Sequence, residues 1–314
     1  MFKDFAVLKR LIIALSISIL PFSAPSSAAT IGVTLANSDT FLKLLRRGLE
    51  EEAANAEDLT LQIEVSNKDS SHQMEAVEGF IEQEVDAIIA VLVDSDEGSK
   101  VSSLAEEAGI PLVYVNNSPI NAKELPDGQT FVSADDETGG KLQAEEVCRL
   151  LKGRGNVGLM MGELTSPAAR RRSDAVAAVL KTDACRDMKI VERQSANGAR
   201  DQGTSVMGEW LDGDEKLDAV IANNDDMALG AVRIMTLRGI AMDDVVIAGI
   251  DATPAALNSM KAGELDVTVH QNAEGQGAAA VKAAMDLIAG SDVPPRIDID
   301  SELITPTNLD AHMN

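Results

Sequence analysis

Ala219-Val220-Ile221-Ala222-Asn223-Asn224-Asp225-Asp226-Met227-Ala228-Leu229-Gly230 reads as an apolar strand that stops abruptly in four carboxamides and carboxylates, with a helical pattern starting at once. In an open α/β sheet the carboxyl ends of the strands face the crevice where ligands bind. Asn and Asp at that edge offer neutral donors and charged acceptors, the complement of hydroxyl groups. The design recurs twice. Val245-Val246-Ile247-Ala248-Gly249-Ile250-Asp251 ends in one carboxylate before Ala252-Thr253-Pro254 opens a helix, and Val267-Thr268-Val269-His270-Gln271-Asn272 ends in amides. Adjacent carboxylates at a helix start point in different directions, so Asp225 or Asp226 is read as the helix cap and Asn224 as the residue free for a ligand.

Working outward, short β-rich runs alternate with amphipathic helices from Thr30 onward, which argues for parallel sheets covered on both faces. The first half reads as strands Thr30–Leu35, Leu59–Ser66, Ala87–Val93 and Pro111–Val115, with helices Phe41–Ala54, His72–Glu82 and Glu97–Ala108 between them. The second half repeats the theme with helices Gly140–Leu151, Ala168–Lys181 and Arg200–Leu211 and strands Asn156–Gly162 and Lys189–Gln194 before the opening stretch. Phe131-Val132-Ser133-Ala134-Asp135 falls where the chain crosses between halves. Helix Gly275–Ala289 has no partner in a second sheet that is already complete, so it is expected to return to the first lobe. The expected lobes are 30–133 plus 272–303 and 134–271 plus 304–314, joined by short crossings.

Met1 to Ala29 is set aside as a secretory leader: Lys3, Lys9 and Arg10 start it, Leu11 to Phe22 supply the apolar stretch, and Ser26-Ser27-Ala28-Ala29 the small-residue cleavage site. The remainder of the 314 residues is enough for two lobes with separate cores. A formal net charge of −24 makes nucleic acid an improbable partner. Hydrophobic residues at 45% with aromatics at 3% indicate aliphatic cores. Cys148 and Cys185 are the only cysteines, and an oxidising compartment allows them to pair; two buried thiols fit equally well.

Gly153-Arg154-Gly155-Asn156-Val157-Gly158 matches a dinucleotide-binding spacing, but it follows a helix and opens a strand, the reverse of the working order. These glycines are therefore read as a helix end and turn. There is no Gly-Lys-Ser/Thr loop, no His-Glu-x-x-His helix and no Gly-x-Ser-x-Gly elbow, and His72, His270 and His312 are scattered. No catalytic residue, metal ligand or cofactor is expected. In Ala168-Ala169-Arg170-Arg171-Arg172, Arg171 is read as solvated and Arg172 as a fork of donors for the crevice, though a solvated helix face explains both. The first lobe's counterparts are Asn37-Ser38-Asp39-Thr40-Phe41-Leu42 and Asn116-Asn117, where capping accounts for Asp39 and core packing for Phe41 as well as ligand contact does.

In that order these segments resemble the periplasmic sugar-binding proteins of ABC transporters, the ribose- and galactose-binding group with its inositol-binding relatives. The resemblance implies a type I periplasmic binding fold, an α/β arrangement of two doubly wound parallel-sheet lobes on a three-crossing hinge. It implies ligand contacts from Asp39, Phe41, Asn116, Arg172, Asn224, Asp251 and Gln271, and no enzymatic activity. Where many relatives stack an aromatic on the sugar this chain has Gly198-Ala199, where ribose binders carry Asp-Arg it has Asn116-Asn117, and Leu42 replaces a second Phe. Weaker stacking is more like the inositol-type relatives. Expected, then, is a monomeric periplasmic protein delivering a small cyclic polyol or monosaccharide to a membrane permease. An amino sugar or amino-cyclitol ligand, a chemoreceptor partner and, remotely, a sugar-modifying enzyme are the alternatives.

Overall fold

The computed structural model describes residues 28–56, 58–213 and 216–313. The expected leader lies outside them apart from Ala28 and Ala29. Apolar runs of the first half form β1 (Ala29–Leu35), β2 (Leu59–Val65), β3 (Ala87–Ala90), β4 (Leu112–Val115) and β5 (Gln129–Ala134). Between them lie α1 (Thr40–Asn55), α2 (Ser70–Glu82) and α3 (Gly98–Ala108). The second half gives α4 (Asp136–Leu150), β6 (Arg154–Met161), α5 (Pro167–Val179), β7 (Asp187–Ser195), α6 (Arg200–Asp212), β8 (Ala219–Ala222), α7 (Asp225–Leu237), β9 (Val246–Ala248), α8 (Pro254–Lys261) and β10 (Thr268–His270). The chain then runs through α9 (Ala273–Ile288), β11 (Arg296–Ile299) and β12 (Glu302–Ile304).

The first sheet has the order β2-β1-β3-β4-β5-β11, and every pair in it is parallel. The second, β7-β6-β8-β9, repeats that order from its own first strand, also in parallel. Val267 extends it by a parallel bridge to Ala248, and β10 pairs antiparallel with β12. Each sheet is covered on both faces by a separate apolar cluster, two in each lobe, built mainly from Val, Ile, Leu, Met and Ala. This is the doubly wound α/β architecture in duplicate, with strand order reversing at β1/β3 and at β6/β8.

Three short stretches cross between the sheets: Ala134 to Asp136, Gln271 to Ala273, and Ile299 to Glu302. As expected from its missing partner, α9 returns to pack on α1 and on the strands of the first sheet. Glycine makes that approach possible, since a Cβ on Gly277 would stand 2.2 Å from the Leu45 carbonyl. β12 joins the second sheet's neighbourhood from Glu302 onward, two residues ahead of the expected boundary after 303. Gly153 has φ of 77° just beyond α4, and its N–H bonds the Cys148 carbonyl at 2.9 Å, so the dinucleotide-like glycines are a helix end. Cys148, late in α4, and Cys185, beyond α5, form a disulfide.

Candidate ligand-binding site

Asp39, Phe41, Asn116, Arg172, Asn224, Asp251 and Gln271 all line one cavity of about 730 Å³ between the lobes. Their positions follow from the topology. Asp39 and Phe41 follow β1 and Asn116 follows β4, while Asn224, Asp251 and Gln271 follow β8, β9 and β10. Arg172 stands in the second turn of α5, whose start is set by the Ser166 cap and Pro167. Two polar contacts join the lobes across it: Lys68 Nζ reaches Glu163 at 2.5 Å and Thr40 Oγ1 donates to Asp226 at 3.4 Å.

Arg172 organises the second wall. Its Nε donates to Asp136 Oδ1 at 3.1 Å, Nη1 to the Asn223 carbonyl at 2.7 Å, and Nη2 to Gln271 Oε1 at 2.6 Å. Asp251 Oδ1 lies 3.9 Å from Nη1. A guanidinium has five N–H donors and three are engaged here, so this side chain, 9% exposed, fixes its neighbours and keeps the remaining N–H groups beside the cavity. Asp136 was not foreseen. It opens α4 directly after the first crossing, and in sequence it reads only as an acidic residue in a first helical turn.

The polar cluster after β8 divides its labour differently from the expectation. α7 begins at Asp225, so the extended residue before it, Asn224, is the cap: its Oδ1 accepts from Met227 N–H at 3.0 Å. Its Nδ2 donates to the Gly198 carbonyl at 3.1 Å, tying the cap to the loop before α6. Asp225 caps nothing. It is fully buried and accepts from the Thr253 N–H and hydroxyl at 2.7 and 3.1 Å and from the Thr268 hydroxyl at 2.7 Å, stitching β8 to β9 and β10. Burial pushes its carboxyl up to about 7 despite those donors. Asp226 faces the cavity, held by Arg200 at 2.6 Å.

Asp251 sits at φ 124°, followed by Ala252 at 53°, a pair of left-handed conformations that turns its side chain off the strand axis. It is 7% exposed, and among the described residues its carboxylate accepts no hydrogen bond. Burial raises its pKa well above the usual carboxylate range; Arg172 pulls it back, and Asp225, Asp39 and Asp226 push it further up. Asp39 caps α1 through the Leu42 N–H at 2.8 Å, as one reading of the sequence had it, and still opens into the cavity. The surrounding walls raise its pKa too. Buried amide donors also lack partners here: Gln271 Nε2 and Asn223 Nδ2, on residues 1% and 2% exposed. Asn116, at φ 65°, holds only a 3.4 Å bond to Gln276, and Phe41 presents the apolar patch.

Away from the cavity the fold gathers two of the three scattered histidines. His270, Glu302 and His312 bring one ligand atom each within 4.8 Å of one another, because β10 and β12 pair at His270 and Glu302. They are the described residues best able to hold a metal ion.

Residues 31–292 match the model of the periplasmic binding protein domain family, and the chain belongs to that family. It is 45% identical over 303 residues to the "Putative rhizopine-binding protein" of Rhizobium meliloti, covering 96% of this chain and 98% of that one. A solute-binding protein of an ABC transporter from Bacillus halodurans, solved with bound myo-inositol, is 39% identical and superposes with a TM-score of 0.85 over 92% of this chain and 98% of its own. A Caulobacter myo-inositol-binding protein, also solved with myo-inositol, is 27% identical with a TM-score of 0.84 over 94% and 98%. These relatives are binding proteins rather than enzymes.

Proposed function

We propose that this chain is the solute-binding component of a carbohydrate ABC importer, which captures a small cyclic polyol by closing two lobes over it and hands it to a membrane permease. The observation that carries this reading is one interlobe cavity lined by all seven residues, where two buried N–H donors, Gln271 Nε2 and Asn223 Nδ2, lack hydrogen-bond partners and the Asp251 carboxylate accepts no hydrogen bond. Native proteins rarely leave such groups unpaired. A ring bearing hydroxyls on its rim pairs them, and an analogue lacking one hydroxyl leaves a buried group unmet, at about 1–3 kcal/mol each. Phe41 covers a ring face, and the seven residues named from the sequence are the proposed contact set. Likeness to two proteins solved with myo-inositol favours a cyclitol over a pentose.

The same reading takes the chain as a monomer without catalytic activity, exported by a leader cut near Ala29 to the periplasm, where a chemoreceptor is a compatible second partner. It divides the chain into lobes after 133, 271 and 303, and the pairing of β10 with β12 from Glu302 supports a last division close to that point. Thermal-shift screening of myo-inositol, ribose and galactose tests it, with calorimetry on any hit. A rise in Tm with a cyclitol or aldose is expected, and Asp251→Ala is expected to abolish that rise while leaving the ligand-free transition cooperative. A ligand-induced rise unchanged in Asp251→Ala would refute the site.

A further inference from the structure

The antiparallel pairing of β10 with β12 sets His270 directly opposite Glu302. Side chains opposite each other in such a ladder project to the same face. The segment after β12 supplies a third group. It turns through Asn308, whose Oδ1 accepts from the Thr305 N–H at 2.9 Å and whose Nδ2 donates to the Leu303 carbonyl at 3.0 Å. Leu309 is then buried in an apolar core of the second lobe, and Met313 packs against the same cluster, which holds His312 between them against the ladder. His312 Nε2 stands 3.4 Å from Glu302 Oε1, and its ring meets that of His270 edge-on with centroids 5.9 Å apart. One ligand atom from each of the three residues falls within 4.8 Å of the others. None of the three lines the solute cavity.

We propose that His270, Glu302 and His312 bind a divalent transition-metal ion of the zinc type, which clamps the segment after β12 to two hinge strands. Two imidazoles and one carboxylate are a donor set that such ions take, whereas Mg²⁺ and Ca²⁺ prefer oxygen ligands throughout. The spacing agrees. Bonds of about 2.1 Å at a tetrahedral angle hold two ligand atoms roughly 3.4 Å apart, which is the His312–Glu302 separation. As a hydrogen bond the same contact is long. The chain supplies three ligands, and the Glu302 side chain is 59% exposed, so water completes the shell from the solvent side. His270 directly precedes the crossing that starts at Gln271, and Glu302 ends the crossing from Ile299. The ion therefore joins the second-lobe ends of two crossings, and closure of the lobes leaves its three ligands together.

Titration calorimetry of the protein, free of any histidine tag and stripped with EDTA, tests this with Zn²⁺ and Ca²⁺ in turn. One Zn²⁺ per chain is expected, with Ca²⁺ at least about tenfold weaker. Zn²⁺ is also expected to raise Tm, because it binds the folded chain. His312→Ala and Glu302→Gln are each expected to weaken Zn²⁺ binding at least about tenfold, the least that even an outer-shell partner is worth. His270→Ala is expected to do the same, and the other two variants decide the matter should this one fold poorly. Zn²⁺ affinity unchanged in His312→Ala and Glu302→Gln would assign the binding to other carboxylates of this acidic chain and overturn the site. Ca²⁺ binding as tight as Zn²⁺, or no Zn²⁺ binding tighter than about 1 mM, would overturn it as well.

Discussion

The two walls of the cavity are built from the same topology and held in different ways. On the second lobe, Arg172 joins Asp136, Asn223 and Gln271, and Asp225 joins Thr253 and Thr268, so the wall is a connected and buried network. On the first lobe no charged pair takes part: Asp39 is tied to the start of its own helix, Asn116 to one distant amide and Asn117 to the Leu92 carbonyl at 2.7 Å, while buried Gln73 holds the strand ends through Thr34, Val91 and Val93. The only described disulfide, Cys148–Cys185, also belongs to the second lobe. Both walls are therefore preformed, one by buried charges that fix its ligand-facing groups and the other by neutral amides set behind them, which leaves Asp39 and Asn116 the less constrained groups.

The sharpest way to break this contrast is Arg172→Ala. It strands Asp136, 7% exposed, without its main cation and leaves Gln271 Oε1 without a donor. Removing one partner of a buried ion pair costs about 3–5 kcal/mol, expected as a fall in Tm of roughly 10 °C by calorimetry. A loss under about 1 kcal/mol would mean that the second wall is no more rigid than the first. Next in size is the disulfide. Its cysteines are 37 residues apart, and cutting a loop of that order costs about 2–5 kcal/mol. Cys148→Ser with Cys185→Ser is expected to lower the denaturant midpoint with ligand specificity unchanged, since the bond lies at the end of α4, far along the helix from the cavity.

Much of this was legible from strand endings. Polar residues after an apolar run locate a strand's carboxyl edge whatever its exact length, so all seven candidates fall in one cavity although β3 and β9 are shorter than their apolar runs. What sequence could not supply was which atoms are already spoken for. Asn224 took the capping role expected of Asp225 or Asp226 because a cap is defined by the residue with extended backbone, one position earlier than the carboxylates suggested, and Asp225 is buried against Thr253 and Thr268 instead. Asp136 stayed hidden because its partner is 36 residues away and nothing local marks a buried pair. The histidine–glutamate group was equally invisible, since an antiparallel pairing of β10 with β12 brings it together.

Acidity distinguishes the walls more gently. Asp225, Asp251 and Asp39 are all raised, chiefly by burial. A carboxyl whose folded pKa exceeds its unfolded value binds its proton more tightly in the native state. The stability it contributes is present below the ordinary 3.8 and is lost as pH rises through the folded value, about 7 for Asp225. The ligand-free protein is therefore expected to melt higher at about pH 5 than at about pH 8. Asp251→Asn is expected to reduce that difference by stabilising the protein chiefly at the higher pH. An unaltered slope would mean that Asp251 keeps its charge at Arg172 and contributes nothing to it.

The smallest effect is expected on the first wall. Asn116 adopts φ 65°, a conformation glycine reaches without strain, and its side chain makes one 3.4 Å contact. Asn116→Gly removes the amide while easing the backbone, so the two consequences for folding oppose each other and Tm is expected to move by less than the equivalent of about 0.5 kcal/mol. Ligand affinity still falls, because the amide faces the cavity, and a neutral hydrogen bond contributes about 0.5–1.5 kcal/mol, a loss of roughly 2- to 12-fold by calorimetry. That combination, weaker binding on an unchanged fold, is the mark of a wall whose polar groups serve the ligand alone. A large drop in Tm from Asn116→Gly would instead tie Asn116 into the structural network behind the first wall and erase the asymmetry.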